Sequence, residues 1–408
     1  MKKVCFLVDS LFTFGGVQCV TAVIAKALSA SCKVTIVTFD PPGSKDTTMY
    51  GLDEADIEYQ FFAYPQVGWL RGKLCKAYSA FYRMSRPRSQ WASDLYARSS
   101  FPRPLRKALA EKLSSCHYDV IVGVHAPLAA RLATIRSFYP WSDRTETCRI
   151  GEGGRHPFCI GWIHNSFDAL FSPSSLYIGP QLRRHYLFQL AKLDRTIVLS
   201  HHDAREYTAN MPSLHPDVIY NPLTLTPGQP SRGDSKRFLA VGRLSYLHKG
   251  FDLLISAFNI FARNDSQWTL HIVGEGPEEA KLRAMIAEYR LEKRVFIHPF
   301  TAHIQEHYSQ AQVYVLSSRW EGFGLVLVEA MAHGLPVISS DLPTSREIMG
   351  DSALYFDVGD VEQLAQRLEE ATHLDWSTKS HEAFSIARRF NTESIIRQWN
   401  EILAPLPG

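Results

Sequence analysis

The sequence has no Cys-x-x-Cys pair, no run of 18 apolar residues and little excess charge, and each absence removes a class of protein. Seven cysteines (Cys5, Cys19, Cys32, Cys75, Cys116, Cys148, Cys159), odd in number and unpaired in sequence, argue against a disulfide or zinc framework. They fit reduced thiols used for packing in a cytosolic protein. Without a long apolar run, no segment is expected to span a bilayer. Met1-Lys2-Lys3 followed by Val4–Val8 has a secretory outline, but Asp9 stops the apolar run at five residues, short of the roughly 7–15 of a signal core. A formal charge of +3 predicts no nucleic-acid binding unless the positive charge is clustered. There is no P-loop G-x4-G-K-[ST] and no G-x-S-x-G elbow. Gly274-x-Gly276 has Glu279 where a dinucleotide fingerprint needs its third glycine, which argues against NAD.

What remains is an ordinary globular composition of 408 residues, 45% apolar and 21% charged, enough for two or three domains. β-branched runs alternate with amphipathic helical stretches, the pattern of parallel sheets covered by helices on both faces. In the first half strands are expected at Lys3–Val8, Lys33–Phe39, Val120–Val124, Cys159–Ile163 and Thr196–Leu199. The first helix, Val17–Leu28, offers Val17, Val20, Ala22, Val23 and Ala27 to its inner face. In the second half strands are expected at Phe238–Val241, Thr269–Val273, Arg294–Ile297, Val313–Leu316 and Pro336–Ser339. Helices are expected there at Gly250–Arg263, Glu278–Tyr289, Val326–His333 and Val361–Ala371. A Pro/Gly/Ser-rich stretch, 221–237, separates the halves as a linker. The expected organisation is therefore an N-terminal domain 1–220, a C-terminal domain 238–390, and a final helix within 391–408 that crosses back to the first domain. Two such sheets facing each other would make a cleft lined by helix N-termini, where ligands should bind.

The positive charge is in fact clustered. Residues 66–112 hold 11 Lys and Arg against Asp94 and Glu111, and Trp69, Tyr78, Phe81, Tyr82, Trp91, Tyr96 and Phe101 are interleaved with them. One reading is a solvated helical hairpin with its aromatics in the core; the other is a surface for an anionic membrane or a lipid diphosphate. Nucleic acid is the least favoured partner.

Two motifs carry the chemistry. In Ser317–Pro336 a strand runs into the loop Glu321-Gly322-Phe323-Gly324 and then a helix that stops at Gly334. Gly322 and Gly324 let backbone approach a ligand, and the free N–H groups of the first turn favour a phosphate. Glu321 and Glu329 then face different parts of one ligand as acceptors for hydroxyls, which a nucleotide sugar supplies at both ends. In Val241–Asp252, Gly242 and Arg243 follow a strand and Lys249 opens a helix, so two cations six residues apart can clamp a diphosphate. His303 and His307 are four apart on an expected helix, but no third ligand accompanies them and they read as surface residues.

The Gly-Arg-x5-Lys-Gly element, Ile272–Pro277 and Glu321-x7-Glu329, in this order and spacing, resemble the C-terminal domain of family 4 retaining glycosyltransferases with the GT-B fold. The resemblance is specific over Arg237–Phe356, weaker over Met1–Tyr220, and nearest to bacterial exopolysaccharide and lipopolysaccharide biosynthesis enzymes. It implies two Rossmann-like domains across a cleft, and transfer of a hexose from a nucleotide sugar, UDP by family frequency, with retention and without a metal or other cofactor. The absence of Asp-x-Asp argues against the metal-dependent GT-A class. By the match, Arg243 and Lys249 hold the diphosphate, and Glu321 the sugar hydroxyls. Phe323, Gly324 and Leu325 give backbone N–H groups, Glu329 takes the ribose, and Val295–Phe300, ending at Phe300, lines the base pocket. Gly15 and Gly16 correspond to the family's glycine pair against the donor phosphates, and His164 to its histidine beside the reacting carbon. The implied acceptor is a glycan or a lipid-diphosphate-linked glycan, which makes the protein cytoplasmic with a peripheral place on the inner leaflet. A sugar-nucleotide epimerase or a glycoside phosphorylase on the same fold is the alternative.

Overall fold

The computed structural model describes residues 1–85, 87–136, 157–173, 175, 177–265 and 267–404, so Arg86 and Cys148 lie outside the described residues. The chain packs as two units, Met1–Pro222 with Thr392–Gly408, and Leu223–Asn391.

Seven strands of the first unit, β1 (Lys2–Val8), β2 (Cys32–Thr38), β3 (Ile57–Phe61), β4 (Val120–Val124), β5 (Phe158–Trp162), β6 (Arg195–Val198) and β7 (Asp217–Val218), form one parallel sheet. Its order is β3-β2-β1-β4-β5-β6-β7. The helices are α1 (Gly16–Ser29), α2 (Trp69–Ser85), α3 (Gln90–Ser100), α4 (Arg103–Ser114), α5 (Ala126–Ile135), α6 (Phe167–Phe171), α7 (Arg183–Leu190) and α8 (His201–Asn210). The central strand β4 is a continuous buried run, Val-Ile-Val-Gly-Val, as expected of a parallel sheet covered on both faces. On α1 the buried residues are Val20, Thr21, Ala22, Ile24, Ala25 and Leu28. Of the expected inner face, Val17, Val23 and Ala27 are only partly buried, since the stripe follows Val20–Ile24–Leu28 at helical spacing.

In the second unit β8 (Arg237–Val241), β9 (Thr269–Val273), β10 (Val295–His298), β11 (Val313–Leu316), β12 (Val337–Ser340) and β13 (Leu354–Phe356) pair in parallel in the order β10-β9-β8-β11-β12-β13. The helices are α9 (Tyr246–Lys249), α10 (Phe251–Phe261), α11 (Glu279–Glu288), α12 (Ile304–Gln310), α13 (Leu325–Met331), α14 (Pro343–Met349), α15 (Val361–Ala371) and α16 (Trp376–Ala387). Phe238, Phe258, Leu270, Ile272 and Phe356 centre the core. The strand order reverses between β1 and β4 in one sheet and between β8 and β11 in the other, and such reversals open a crevice at the carboxyl ends of the strands.

The stretch 221–237 is bonded chain rather than loose linker. Leu223 N–H donates to Phe390 O at 2.7 Å, and Ser231 N–H to His333 O at 3.0 Å. The last helix, α17 (Thr392–Leu403), belongs to the first unit and buries Ile395, Trp399 and Leu403. Trp399 lies 6.2 Å from Phe6 and 4.9 Å from Trp162 between ring centroids. Among the described residues, no helix is long and apolar enough to cross a membrane.

The aromatic residues of 66–112 divide between core and surface. Tyr82, Tyr96 and Phe101 are buried, whereas Trp69, Phe81 and Trp91 are exposed. Neither reading of the segment describes all of it.

Candidate functional site

In the second unit the loops after β8 and β11 meet at the strand-order reversal. Lys249 Nζ donates to Glu321 Oε1 at 2.7 Å, Ser318 Oγ donates to the same oxygen at 2.5 Å, and His248 Nε2 stands 4.0 Å from Oε2. Burial works to raise the Glu321 carboxyl, but Lys249, His248 and the Ser318 hydroxyl outweigh it and hold the group below the usual carboxylate range. Arg319 N–H donates to His248 O at 2.8 Å, and the Arg319 guanidinium grips both carboxylate oxygens of Asp252 at 3.0 and 2.7 Å. The two loops are thereby tied together. Gly276 serves this arrangement: a Cβ there would lie 2.5 Å from Leu244 O, so glycine lets the loop after β9 press against the loop after β8.

Arg243 is exposed on that loop, and among the described residues no carboxylate pairs with it. Gly242 N–H donates to Val273 O at 3.0 Å, which fixes the turn from which Arg243 projects. Gly324 caps α13 in the left-handed region at φ 86°, a conformation that favours glycine, and Leu325 is the first helical residue. In the first turn Leu327 N–H donates to Gly324 O at 2.8 Å, and the N–H groups before it follow directly on Gly322 and the buried Phe323. His248 stacks flat on Trp320, 4.9 Å apart and 7° from parallel. His248 Nε2 and Trp320 Nε1 are buried and have no hydrogen-bond partner among the described residues. Buried polar atoms are normally satisfied, so two orphans beside Glu321 mark a place where a ligand supplies the partners.

Glu329 lies in a second network. Its Oε1 accepts from Thr224 Oγ1 at 3.0 Å and its Oε2 from Tyr308 OH at 2.9 Å; burial nevertheless raises its carboxyl. His333 stacks on Tyr308 at 5.0 Å, accepts from Gly228 N–H on Nε2 at 3.1 Å, and has Nδ1 2.8 Å from Glu329 O. Gly228 N–H can only donate, so Nδ1 carries the ring proton. Ser318, Tyr308 and Thr224 have no motif signature and were not foreseen. Phe300, two residues past β10, is 45% exposed. β10 is two strands from β8, about 10 Å at the usual strand spacing. His303 caps α12 and is exposed, as expected of a surface residue, whereas His307 is partly buried, 5.0 Å from His298. Among the described residues no group of three or more His, Cys, Asp or Glu is placed to hold a metal ion.

In the first unit Gly15 caps α1 with extended backbone (φ 176°), its N–H 3.3 Å from Tyr50 OH, and Gly16 opens the helix. The loop before them is held by Asp40, which accepts from Leu11 N–H at 2.7 Å, Ser10 Oγ at 2.7 Å and Thr38 Oγ1 at 2.7 Å. His164, just past β5, is buried, and among the described residues neither ring nitrogen has a hydrogen-bond partner. Burial, with His125 5.5 Å away, pushes its pKa well below 6.5, so the ring is neutral at pH 7. His125 follows β4 at φ 75°, a strained conformation for a residue other than glycine. Asp203 holds the chain after His164 by accepting from Phe167 N–H at 2.8 Å.

Residues 225–389 match the family model of glycosyl transferases group 1. The amylovoran biosynthesis glycosyltransferase AmsD of Erwinia amylovora is 29% identical over 235 residues, 54% of this chain and 65% of that one. The lipopolysaccharide 1,6-galactosyltransferase of Salmonella typhimurium is 34% identical over 131 residues, 30% of this chain and 36% of that one. The chain thus spans less than two thirds of either relative. The crystal structure of Anabaena Alr3699/HepE with UDP and glucose superposes over 99% of both chains with a TM-score of 0.72 at 20% identity, a likeness of fold. The fold is that of the GT-B glycosyltransferases, and the second unit is a group 1 glycosyl transferase domain.

Proposed function

We propose that this group 1 glycosyl transferase moves a hexose from a nucleotide sugar, preferentially a UDP-sugar, to a glycan or lipid-linked acceptor in surface polysaccharide biosynthesis in the cytoplasm. The observation that carries this is the Lys249–Glu321 pair on the loops after β8 and β11 with Arg243, which meets no carboxylate among the described residues, and two ring nitrogens without partners among those residues at the strand-order reversal. In this reading Arg243, Lys249 and the N–H groups of Phe323, Gly324 and Leu325 take the diphosphate, so its charge is met by side chains and backbone rather than by a metal. Glu321 accepts from the sugar hydroxyls. Glu329 accepts from the ribose; each of its oxygens has one protein donor and keeps a lone pair free. Phe300 and the end of β10 flank the base, and Gly15 and Gly16 of the first unit are assigned to phosphate.

The transfer proceeds with retention. The anomeric C–O bond to phosphate breaks while the acceptor oxygen bonds the same face, and the departing phosphate oxygen takes the acceptor's proton. Arg243 and Lys249 stabilise the charge that grows on that oxygen. A neutral His164 can hydrogen-bond the sugar without adding positive charge beside a carbon that becomes cationic.

The exposed hairpin completes the reading. Leu74, Phe81 and Met84 of α2 are 65, 60 and 76% exposed and, with Ala77, recur at helical spacing; Lys73, Lys76 and Arg83 flank them. Lys73 Nζ lies 3.9 Å over the Trp69 ring. Such a face fits the anionic inner leaflet, each cation contributing about 1 kcal/mol.

The test is a thermal-stability screen against UDP-, GDP- and ADP-sugars, in which a true donor at 100 times its Kd adds about 2.7 kcal/mol. NMR of the anomeric proton of the product follows. A retained anomer in the product upholds the reading; epimerisation of the donor by enzyme alone, or dependence on free phosphate, replaces it.

A further inference from the structure

Helices α3, α5 and α7 of the first unit line a half-open cavity of about 120 Å³ that sugar transfer as described leaves unused. Its wall includes Tyr96 and Ser100 of α3, Ala130 and Arg131 of α5, and His185 and Tyr186 of α7. The Arg131 guanidinium carbon lies 5.7 Å from the Tyr64 ring centre and 5.6 Å from that of Phe101, with Nη1 3.5 Å from Tyr64 OH. The stacking fixes its direction. Among the described residues no carboxylate pairs with it, in contrast to Arg136, which meets Asp194 at 2.9 Å. A guanidinium keeps its charge at every physiological pH; Asp9 acts on the Tyr64 and Tyr186 phenols and Asp94 on His185 only from a distance, so among the described residues no carboxylate in contact meets the charge of this partly buried cation.

The neighbouring groups fit an anion. Burial pushes the Tyr186 phenol up to about 12, so it remains an O–H donor, and burial brings His185 down to about 4, so its ring is neutral. The described wall has one fixed positive charge, hydroxyls and no carboxylate, and phosphate is the anion that Arg recognises through two oxygens at once. The volume is well below the roughly 300 Å³ at which pockets for whole ligands begin, so it suits a single small group. At one end lies Pro127, in the first turn of α5, which His125 caps beside His164. At the other side α3 packs against α2, the helix with the exposed apolar stripe.

We propose that this cavity binds a phosphate ester carried by the acceptor, with Arg131 as its charge partner. The inference rests on the transferase reading for the word acceptor; the anion site itself stands apart from it. The phosphate can come from a lipid headgroup or from a soluble ester.

The experiment titrates inorganic phosphate into the full-length protein by calorimetry, with UDP present to occupy the donor site. In parallel, phosphatidylcholine vesicles with and without phosphatidate are sedimented with the protein. Arg131→Gln, and Ala130→Leu, which fills the cavity, should each weaken phosphate binding about tenfold or more, whereas Lys293→Gln, at an exposed position of the second unit, should leave it unchanged. Binding of free phosphate assigns a soluble ester; binding only of phosphatidate vesicles, lost in both variants, assigns a lipid headgroup. Equal binding by wild type and the two variants, or no binding of either probe by wild type, overturns the proposal. If Arg131→Gln does not fold, Tyr186→Phe, which keeps the ring and removes one donor, takes its place. Nucleotide-sugar binding, measured on the same variants, is expected to be intact, so failure of the anion site and failure of the donor site are separately visible.

Discussion

Lys249 meets two demands. It neutralises a buried carboxylate in the resting protein and, in the proposed reaction, opposes the charge of the departing diphosphate. Lys249→Ala should therefore lower kcat about 10²-fold or more. It should also cost about 3 kcal/mol of stability, because Glu321, 7% exposed, loses its cation. Adding Glu321→Gln to that variant should recover stability, read by denaturant melts, and leave activity low. Recovery of both would confine the pair to a structural role. The pH dependence has a definite sign. Glu321 is held below its ordinary 4.5, so its contribution is present above pH 4.5 and is lost as pH falls through the lower folded value. His164 is depressed from 6.5, so the unfolded chain takes up its proton first and stability falls as pH drops below 6.5, by no more than about 1.4 kcal/mol per pH unit. Equilibrium melts of His164→Gln between pH 7 and 5 should be flatter than wild type; identical slopes would mean that His164 titrates as an ordinary surface histidine.

Among the elements, legibility followed length and periodicity. The strands that bear the site, β8 and β11, are apolar runs bounded by turn residues, and the motif loops follow them directly, so their positions could be read from sequence. β7, two residues long, and β13, three, are too short for any period to show, and β3, Ile57–Phe61, carries Glu58 and Gln60 within five residues and was not among the expected strands. The α2–α3 hairpin was ambiguous for another reason: its aromatics recur on both faces, and only packing decides that Tyr82 and Tyr96 meet at 4.4 Å while Trp69 and Trp91 face outward. Replacing Leu74, Phe81 and Met84 by Ser should abolish sedimentation with anionic liposomes while leaving the melting temperature nearly unchanged, since all three are exposed. Sedimentation that ignores lipid charge and salt would contradict the membrane role. On α17, by contrast, Trp399 is fully buried against Phe6 and Trp162, and Trp399→Ala should cost about 3–5 kcal/mol in a denaturant titration.

Across the whole molecule, the chain divides its labour unevenly along the sequence. The second unit holds the matched family domain and most of the residues proposed for the donor, and its motifs were readable because glycine, arginine, lysine and glutamate at fixed spacing leave few alternatives. The residues proposed for function in the first unit stand singly, His164 and Gly15 after different strands, and their supports, Asp40 and Asp203, are distant in sequence, so no spacing announces them. The central claim is that a sugar diphosphate is held by Arg243, Lys249 and the loop from Glu321 to Leu325, with Glu329 on the ribose. Titration calorimetry of the donor found by the screen, into wild type, Arg243→Ala, Lys249→Ala and Glu329→Ala, tests it most directly. Affinity should fall at least tenfold in each variant, about 1.4 kcal/mol; wild-type affinity in all three would contradict the claim.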